Sequence, residues 1–258
     1  MRGGFQIKMK LLILAAGYAT RLYPLTLNQP KPLLPVAGKA MIDHVIEKFA
    51  PCPEIDEIEV VTNNKFAGHF EAWAKEAASR YHGKKIRIFN DRTTSDVDKL
   101  GAIGDIRFVI QQGGIDDDLL IVAGDNLFSD PLKDFVTQAR QKGILLGVYD
   151  VGDWEVIKKY GNVAVDGDER LNYFEEKPPK PRSTLAAIAL YHYPRRALPL
   201  IEQYIREGNN PDQPGRLVQW LYTRQPVYTW LVRGQWLDIG SKETYEEANK
   251  VFANLRKS

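Results

Sequence analysis

The sequence predicts an α/β fold, a mixed but mainly parallel central sheet flanked by helices, and three observations carry that expectation. Apolar runs of strand length alternate with segments of helical spacing through residues 10–150. Two of those runs, 11–15 and 119–123, end in small residues, Ala16-Gly17 and Gly124-Asp125. Strands separated by helices pair in parallel, and such a sheet gathers ligands at the carboxyl ends of its strands.

Taken in order, Leu11-Leu12-Ile13-Leu14-Ala15 is a short apolar run suited to a strand buried on both faces. The loop that follows carries Pro24, Pro30, Pro32 and Pro35 and cannot be helix interior. Met41, Ile42, Val45, Ile46 and Phe49 have helical spacing. A strand at 58–61, a helix at 66–81 and a strand at 86–89 follow. Next come a helix at 102–110, the strand at 119–123, a helix at 132–141 and a strand at 144–149. Past residue 150 the pattern changes to short strands near Val163, Tyr173 and 186–193, then two helices flanking a strand at 227–232. The last helix, Lys242–Leu255, sets Tyr245, Ala248, Val251, Phe252 and Leu255 on one face. No repeat, low-complexity tract or linker divides the chain, so residues 1–258 are expected to form one domain.

Bulk properties exclude several classes. Hydrophobic residues make up 44% and charged ones 26%, a globular composition. The 35 basic and 33 acidic residues leave a net charge of +2, so neither nucleic-acid binding nor membrane adsorption by bulk charge is expected. The one cysteine, Cys52, allows no internal disulfide and no cysteine-built zinc site, and reads as a packed thiol between two prolines. No apolar run approaches the roughly 20 residues of a membrane helix. Residues 1–10 lead into six apolar residues, short of a signal-peptide core of about 7–15. Met9-Lys10 resembles an alternative start preceded by a short tail, and the protein is expected to be cytoplasmic.

The residues at the strand ends point to chemistry. Ala16, Gly17, Tyr18, Ala19 and Thr20 follow the first strand, where small residues let backbone N–H groups turn toward a triphosphate. Arg21 adds a planar fork for phosphate oxygens. Lys31, between Pro30 and Pro32, adds a compact charge on a stiffened approach. Asp125 closes the strand at 119–123, and Asp238 lies in Gly234-Gln235-Trp236-Leu237-Asp238-Ile239-Gly240-Ser241. Two aspartates from distant segments suit Mg²⁺, which takes one or two carboxylates, waters and substrate phosphates. Tyr160-Gly161 and Phe174-Glu175-Glu176-Lys177-Pro178 complete the set.

In this order, and over roughly residues 10–252, these motifs resemble the sugar-nucleotide pyrophosphorylase family, the sugar-1-phosphate nucleotidyltransferases, and the thymidylyltransferases among them. Its loop reads G-x-G-T-R-L followed by P-K-P-L; no P-loop pattern occurs here. The resemblance implies a Rossmann-like fold of the nucleotide-diphospho-sugar transferase type, with 1–150 as nucleotide-binding half and 151–258 as sugar-phosphate half. It implies Arg21 and Lys31 on the departing pyrophosphate, Lys177 on the sugar phosphate, Glu176 on sugar hydroxyls, and the Gly161 backbone against the sugar. It implies Mg²⁺ on Asp125 and Asp238, with an NTP and a sugar 1-phosphate as partners.

Three positions depart from or refine that pattern. Ala19 replaces the second loop glycine and tolerates positive φ less well. In Ala187-Ile188-Ala189-Leu190-Tyr191, Ile188 stands where the family presents a polar residue to the sugar. Gly101 lies in the element that approaches the nucleobase, and Asp96 falls where the thymidylyltransferases read the base with glutamine. A carboxylate only accepts hydrogen bonds, so cytosine, guanine or adenine is expected in preference to uracil or thymine.

The implied reaction is in-line attack of a sugar-1-phosphate oxygen on the α-phosphorus, which needs no general base, so His44, His69, His82 and His192 need no role. Two alternatives stay open, a non-catalytic nucleotide-sugar-binding regulatory homologue and a cytidylyltransferase acting on a non-sugar phosphate such as phosphocholine. A glycosyltransferase fits less well, because Asp116-Asp117-Asp118 precedes its strand instead of ending it. Trp220, Tyr222, Tyr228 and Trp230 suit either a core or a contact between copies in a homo-oligomer.

Overall fold

The computed structural model describes residues 8–255; the expected N-terminal tail at 1–7 lies outside them. The first strand, β1 (Met9–Leu14), has Met9, Leu11, Leu12 and Ile13 wholly buried, as its unbroken apolar run requires. The proline-rich loop after it holds single 3-10 turns at Thr20–Leu22 and Lys31–Leu33, then a small hairpin of β2 (Pro35–Val36) and β3 (Lys39–Ala40). Then come α1 (Met41–Lys48), β4 (Ile55–Thr62), α2 (Ala67–Arg80), β5 (Lys85–Asn90) and α3 (Ala102–Gly113). The alternation continues with β6 (Asp118–Ala123), β7 (Asn126–Phe128), α4 (Lys133–Lys142) and β8 (Leu145–Asp150).

The second half supplies β9 (Gly161–Val165), β10 (Leu171–Glu176), β11 (Leu185–Tyr193), α5 (Leu198–Arg206) and α6 (Pro214–Leu221). It closes with β12 (Tyr228–Leu231), β13 (Trp236–Asp238) and α7 (Lys242–Leu255). One expectation is corrected here: α5 and α6 both precede β12 instead of flanking it. Gly208, left-handed at φ 77°, ends the first of them, and Pro214 opens the second in its first turn.

Nine of the described strands form one sheet in the order β10-β9-β11-β6-β1-β4-β5, with β8 beside β11 and β12 beside β8. The block β6-β1-β4-β5 is parallel, and β11 runs antiparallel to β6, β8 and β9. This is the mixed α/β architecture that the alternating pattern implied. The chain leaves β1 toward β4 and β5 on one side and returns as β6 on the other. The strand order therefore reverses at β1 and β6, and a crevice opens beyond their carboxyl ends.

Apolar layers cover both faces. Residues of α1, α2, α4 and α7 pack with Leu11 and Ile13 on one. Residues of α3, α5 and α6 pack with Leu12 and Ile121 on the other. Trp220, Tyr222, Tyr228 and Trp230 are all half-buried, and the two tryptophan N–H groups donate to Glu207 (2.9 Å) and Asp134 (2.7 Å). No helix among the described residues is long and apolar enough to cross a membrane.

Candidate active site

The two strand ends singled out in the sequence meet. Gly124 N–H donates to Leu14 O (3.0 Å), and Ala15 N–H to Val61 O (2.9 Å), so the segments leaving β1 and β6 start side by side. A cavity of about 750 Å³ opens there, walled by both halves of the chain.

A small ladder that the sequence did not announce builds the carboxylate pair. β13 pairs antiparallel with β7, setting Trp236 opposite Phe128 and Asp238 opposite Asn126. Trp236 Nε1 donates to Asn126 Oδ1 (2.8 Å), and Ile239 N–H donates to Asp125 O (3.2 Å). This fastening brings Asp238 next to Asp125. Burial, and then the Asp125 charge, push the Asp238 carboxyl up to about 6, while Lys31 and Arg21 pull it down. Asp125 accepts from Lys31 Nζ on Oδ2 (2.5 Å) and from Asn126 Nδ2 on Oδ1 (3.1 Å).

Two carboxylates with cations beside them fit a hard, oxygen-seeking cation. Among the described residues no group of three or more His, Cys, Asp or Glu side chains is arranged to hold a metal. The rest of a coordination shell would come from water and phosphate oxygens, which is how Mg²⁺ is usually held.

The phosphate-loop candidates divide. Ala16, Gly17 and Arg21 line the cavity; Tyr18, Ala19 and Thr20 do not. Tyr18 is buried, its hydroxyl 3.4 Å from Thr93 Oγ1. Ala19 adopts the left-handed conformation, φ 48° and ψ 41°, and Thr26 Oγ1 donates to its carbonyl (2.8 Å). The position thus keeps the backbone of the expected glycine while carrying a methyl group. Lys31 stands behind the wall, engaged with Asp125.

On the opposite flank, Gly161, Glu176, Lys177 and Ile188 all border the cavity. Glu176 Oε2 is wedged between two glycines. A Cβ on Gly161 would come within 3.1 Å of it, and one on Gly215 within 2.8 Å. Burial raises the Glu176 carboxyl, and Lys177 and Arg216 oppose that rise. Lys177 sits at φ 49°, uncommon for a side-chain-bearing residue, with its N–H on Tyr160 O (3.0 Å). Ile188 is only 1% exposed and packs over Gly147 in the core, so the half-buried methyl groups of Ala187 and Ala189 shape this flank.

Asp96 and Gly101 occupy the remaining side. Asp96 is exposed and pairs with Lys99 (3.4 Å), which also pairs with Asp212 (3.1 Å). Gly101 has φ 77°, and a Cβ there would lie 2.7 Å from Asp212 Cα and Pro211 O. The first N–H groups of α3 donate into that same segment, Ala102 to Asp212 O (3.1 Å) and Ile103 to Pro211 O (2.8 Å).

Sequence reasoning missed the segment 212–215 and the buried carboxylates Asp91 and Asp105, all on the cavity wall. The two prolines around Asp212 signal a break but no destination. Asp105, an acid in a helical first turn, reads as an ordinary dipole partner until its burial is seen.

The sequence model described as nucleotidyl transferase matches residues 10–254. The bifunctional protein GlmU of Methanocaldococcus jannaschii is 28% identical over 94% of this chain and 54% of its own length. The glucose-1-phosphate adenylyltransferase of Thermomicrobium roseum is 28% identical over 93% of this chain and 58% of its own. The chain thus spans little more than half the length of these relatives. A crystal structure of UDP-glucose pyrophosphorylase complexed with UDP-glucose matches the fold with a TM-score of 0.80 at 21% identity, covering 96% of this chain and 99% of that one.

Proposed function

This chain belongs to the nucleotidyl transferase family, and from that premise we propose that it joins an NTP to a sugar 1-phosphate, releasing pyrophosphate and an NDP-sugar. The observation that carries the reading is the Asp125–Asp238 pair, set at the strand-order reversal between Arg21 on one side and Lys177 on the other. Relatives that join nucleotides to sugar phosphates support it, among them the adenylyltransferase named above.

In this reading Ala16, Gly17 and Arg21, the loop residues that line the cavity, hold the triphosphate, and Arg21 and Lys31 stabilise charge on the departing pyrophosphate. Lys177 aligns the acceptor phosphate, whose ionised oxygen forms the new bond to the α-phosphorus as the bond to pyrophosphate breaks. Glu176 and the Gly161 backbone orient the sugar, with Ile188 fixing the wall behind it. Asp96 and Gly101 border the base. Asp125 and Asp238 would hold Mg²⁺, which would supply positive charge to offset the charge on the reacting phosphates. The free, buried Cys52, its thiol pushed up to about 11 by burial, suits a cytoplasmic setting.

The test is pyrophosphate release from five NTPs against a panel of sugar 1-phosphates and phosphocholine, with Mg²⁺. Release with a sugar 1-phosphate is expected. Release only with phosphocholine would move the acceptor to a non-sugar phosphate, and nucleotide binding without release under any pairing would make the chain a regulatory homologue.

A further inference from the structure

Gly17 is exposed and borders the cavity, and a Cβ added to it would meet nothing within 4 Å. Its N–H donates to no group among the described residues. The peptide that carries this N–H is held from behind. Asn63, wholly buried just past the end of β4 and not part of the cavity wall, donates from Nδ2 to Ala16 O (2.8 Å). In a trans peptide the carbonyl and the following N–H point in opposite directions. With Ala16 O drawn back onto Asn63, the Gly17 N–H therefore faces away from the end of β4.

Asn63 is itself fixed. Its Oδ1 accepts from Phe66 N–H (3.1 Å) in the turn that leads into α2. The next residue, Asn64, donates its N–H to Thr93 O (2.9 Å), and Asp91 N–H donates to Thr62 O (2.8 Å), so the ends of β4 and β5 are knit together. Thr93 gives both its N–H (2.7 Å) and its hydroxyl proton (2.8 Å) to Asp91 Oδ1. That leaves the Tyr18 hydroxyl, 3.4 Å away, to donate to Thr93 Oγ1. Gly17 is thus bracketed by two held neighbours, Ala16 and Tyr18, and neither anchor uses the Gly17 N–H.

We propose that Asn63 is a positioning residue for anion binding: by holding Ala16 O it aims the Gly17 N–H at a phosphate oxygen of the NTP. This rests on the nucleotidyl-transfer reading above, and it assigns part of that site's affinity for phosphate to a buried side chain outside the cavity wall. Without the Asn63 amide, the carbonyl of Ala16, a residue only 9% exposed, is left without a partner. It regains one by turning the peptide toward the water of the cavity. That turn withdraws the Gly17 N–H and presents a carbonyl oxygen to the anion, acceptor facing acceptor.

Asn63→Ser separates the two bonds of this side chain, because a serine hydroxyl still accepts from the Phe66 N–H but is too short to reach Ala16 O. The experiment measures dissociation constants of tripolyphosphate, ATP, GTP, CTP, UTP and dTTP for the full chain by calorimetry with Mg²⁺, and KM for the acceptor that supports pyrophosphate release. In Asn63→Ser, tripolyphosphate and the NTP are expected to bind about tenfold or more weakly, with the acceptor KM within about threefold of wild type. A purely structural role would move both. Unchanged affinity for tripolyphosphate in the folded variant, or an acceptor KM that rises as much as the NTP constant, overturns the proposal. Nuclear magnetic resonance of the isotope-labelled wild type tests the same contact without a variant. The Gly17 amide and the Asn63 side-chain amide are expected to shift together as tripolyphosphate is added, since an N–H bonded to an anion polarises the carbonyl of its own peptide. Either signal unmoved at saturation overturns the proposal even where Asn63→Ser does not fold. Wild type that binds none of these ligands sinks the nucleotidyl-transfer reading itself, and the positioning role with it.

Discussion

Lys31 Nζ lies 2.5 Å from Asp125 Oδ2, so a lysine that the loop sequence offers to phosphate is held on a carboxylate proposed to hold metal. The pair spans two strand-end loops and is mostly enclosed. Asp125→Asn keeps the shape and removes the charge. It is expected to lower turnover about 10²-fold or more, with Lys31→Ala similar, by comparison with other lost transition-state contacts. Steady-state pyrophosphate release checks this, and a loss under about threefold in both variants would make the pair structural.

Arg21 and Lys177 border the same cavity from different halves of the chain, and their losses should separate in kinetics. Arg21→Ala is expected to weaken the NTP, and Lys177→Ala the acceptor phosphate, each with about 10²-fold lower turnover. Initial rates with each substrate varied in turn decide it. Identical effects on both substrates in both variants would mean that the flanks are misassigned.

Two backbone positions make opposite predictions. Gly101→Ala sets a Cβ 2.7 Å from Asp212 Cα at φ 77°, and a loss of about 2–4 kcal/mol is expected. Ala19→Gly relieves a left-handed alanine at φ 48° and is expected to stabilise by about 1 kcal/mol. Urea unfolding with unchanged m-values is the measurement. A destabilised Ala19→Gly would show that the methyl group contributes packing that outweighs the backbone strain.

Glu59 is fully buried on β4, with Oε2 unpartnered and Oε1 3.4 Å from Arg87 Nη1. Burial is the main cause that pushes its carboxyl up to about 7; Arg87 opposes and Glu57 adds. The folded value lies above the ordinary 4.5, so its contribution is complete below about pH 4.5 and is lost as pH rises through 7. Glu59→Gln should match wild type near pH 5 and exceed it above pH 8, by up to about 3 kcal/mol. Melting curves from pH 5 to 9 test this, and parallel curves for the two proteins would count against it.

The strand and helix order of the first half was legible because its apolar runs are buried on both faces and its helices carry one apolar stripe. The motif residues at strand ends were legible for a related reason: small residues, prolines and charges stand where packing alone would not put them. β7 and β13 left no such trace. Each has three residues, too few for a period, and their pairing joins segments more than 100 positions apart, fastened by Trp236 on Asn126.

By itself the sequence determined the alternation, the two strand ends and the residue types available there, since local periodicity and backbone-restricting residues act over a few positions. Only the tertiary structure decided which charges meet. It set Asp238 beside Asp125, turned Lys31 onto Asp125, and buried Asp91 and Asp105. Burial and proximity between distant segments fix protonation and pairing, and neither is a property of any residue's own neighbourhood in the chain.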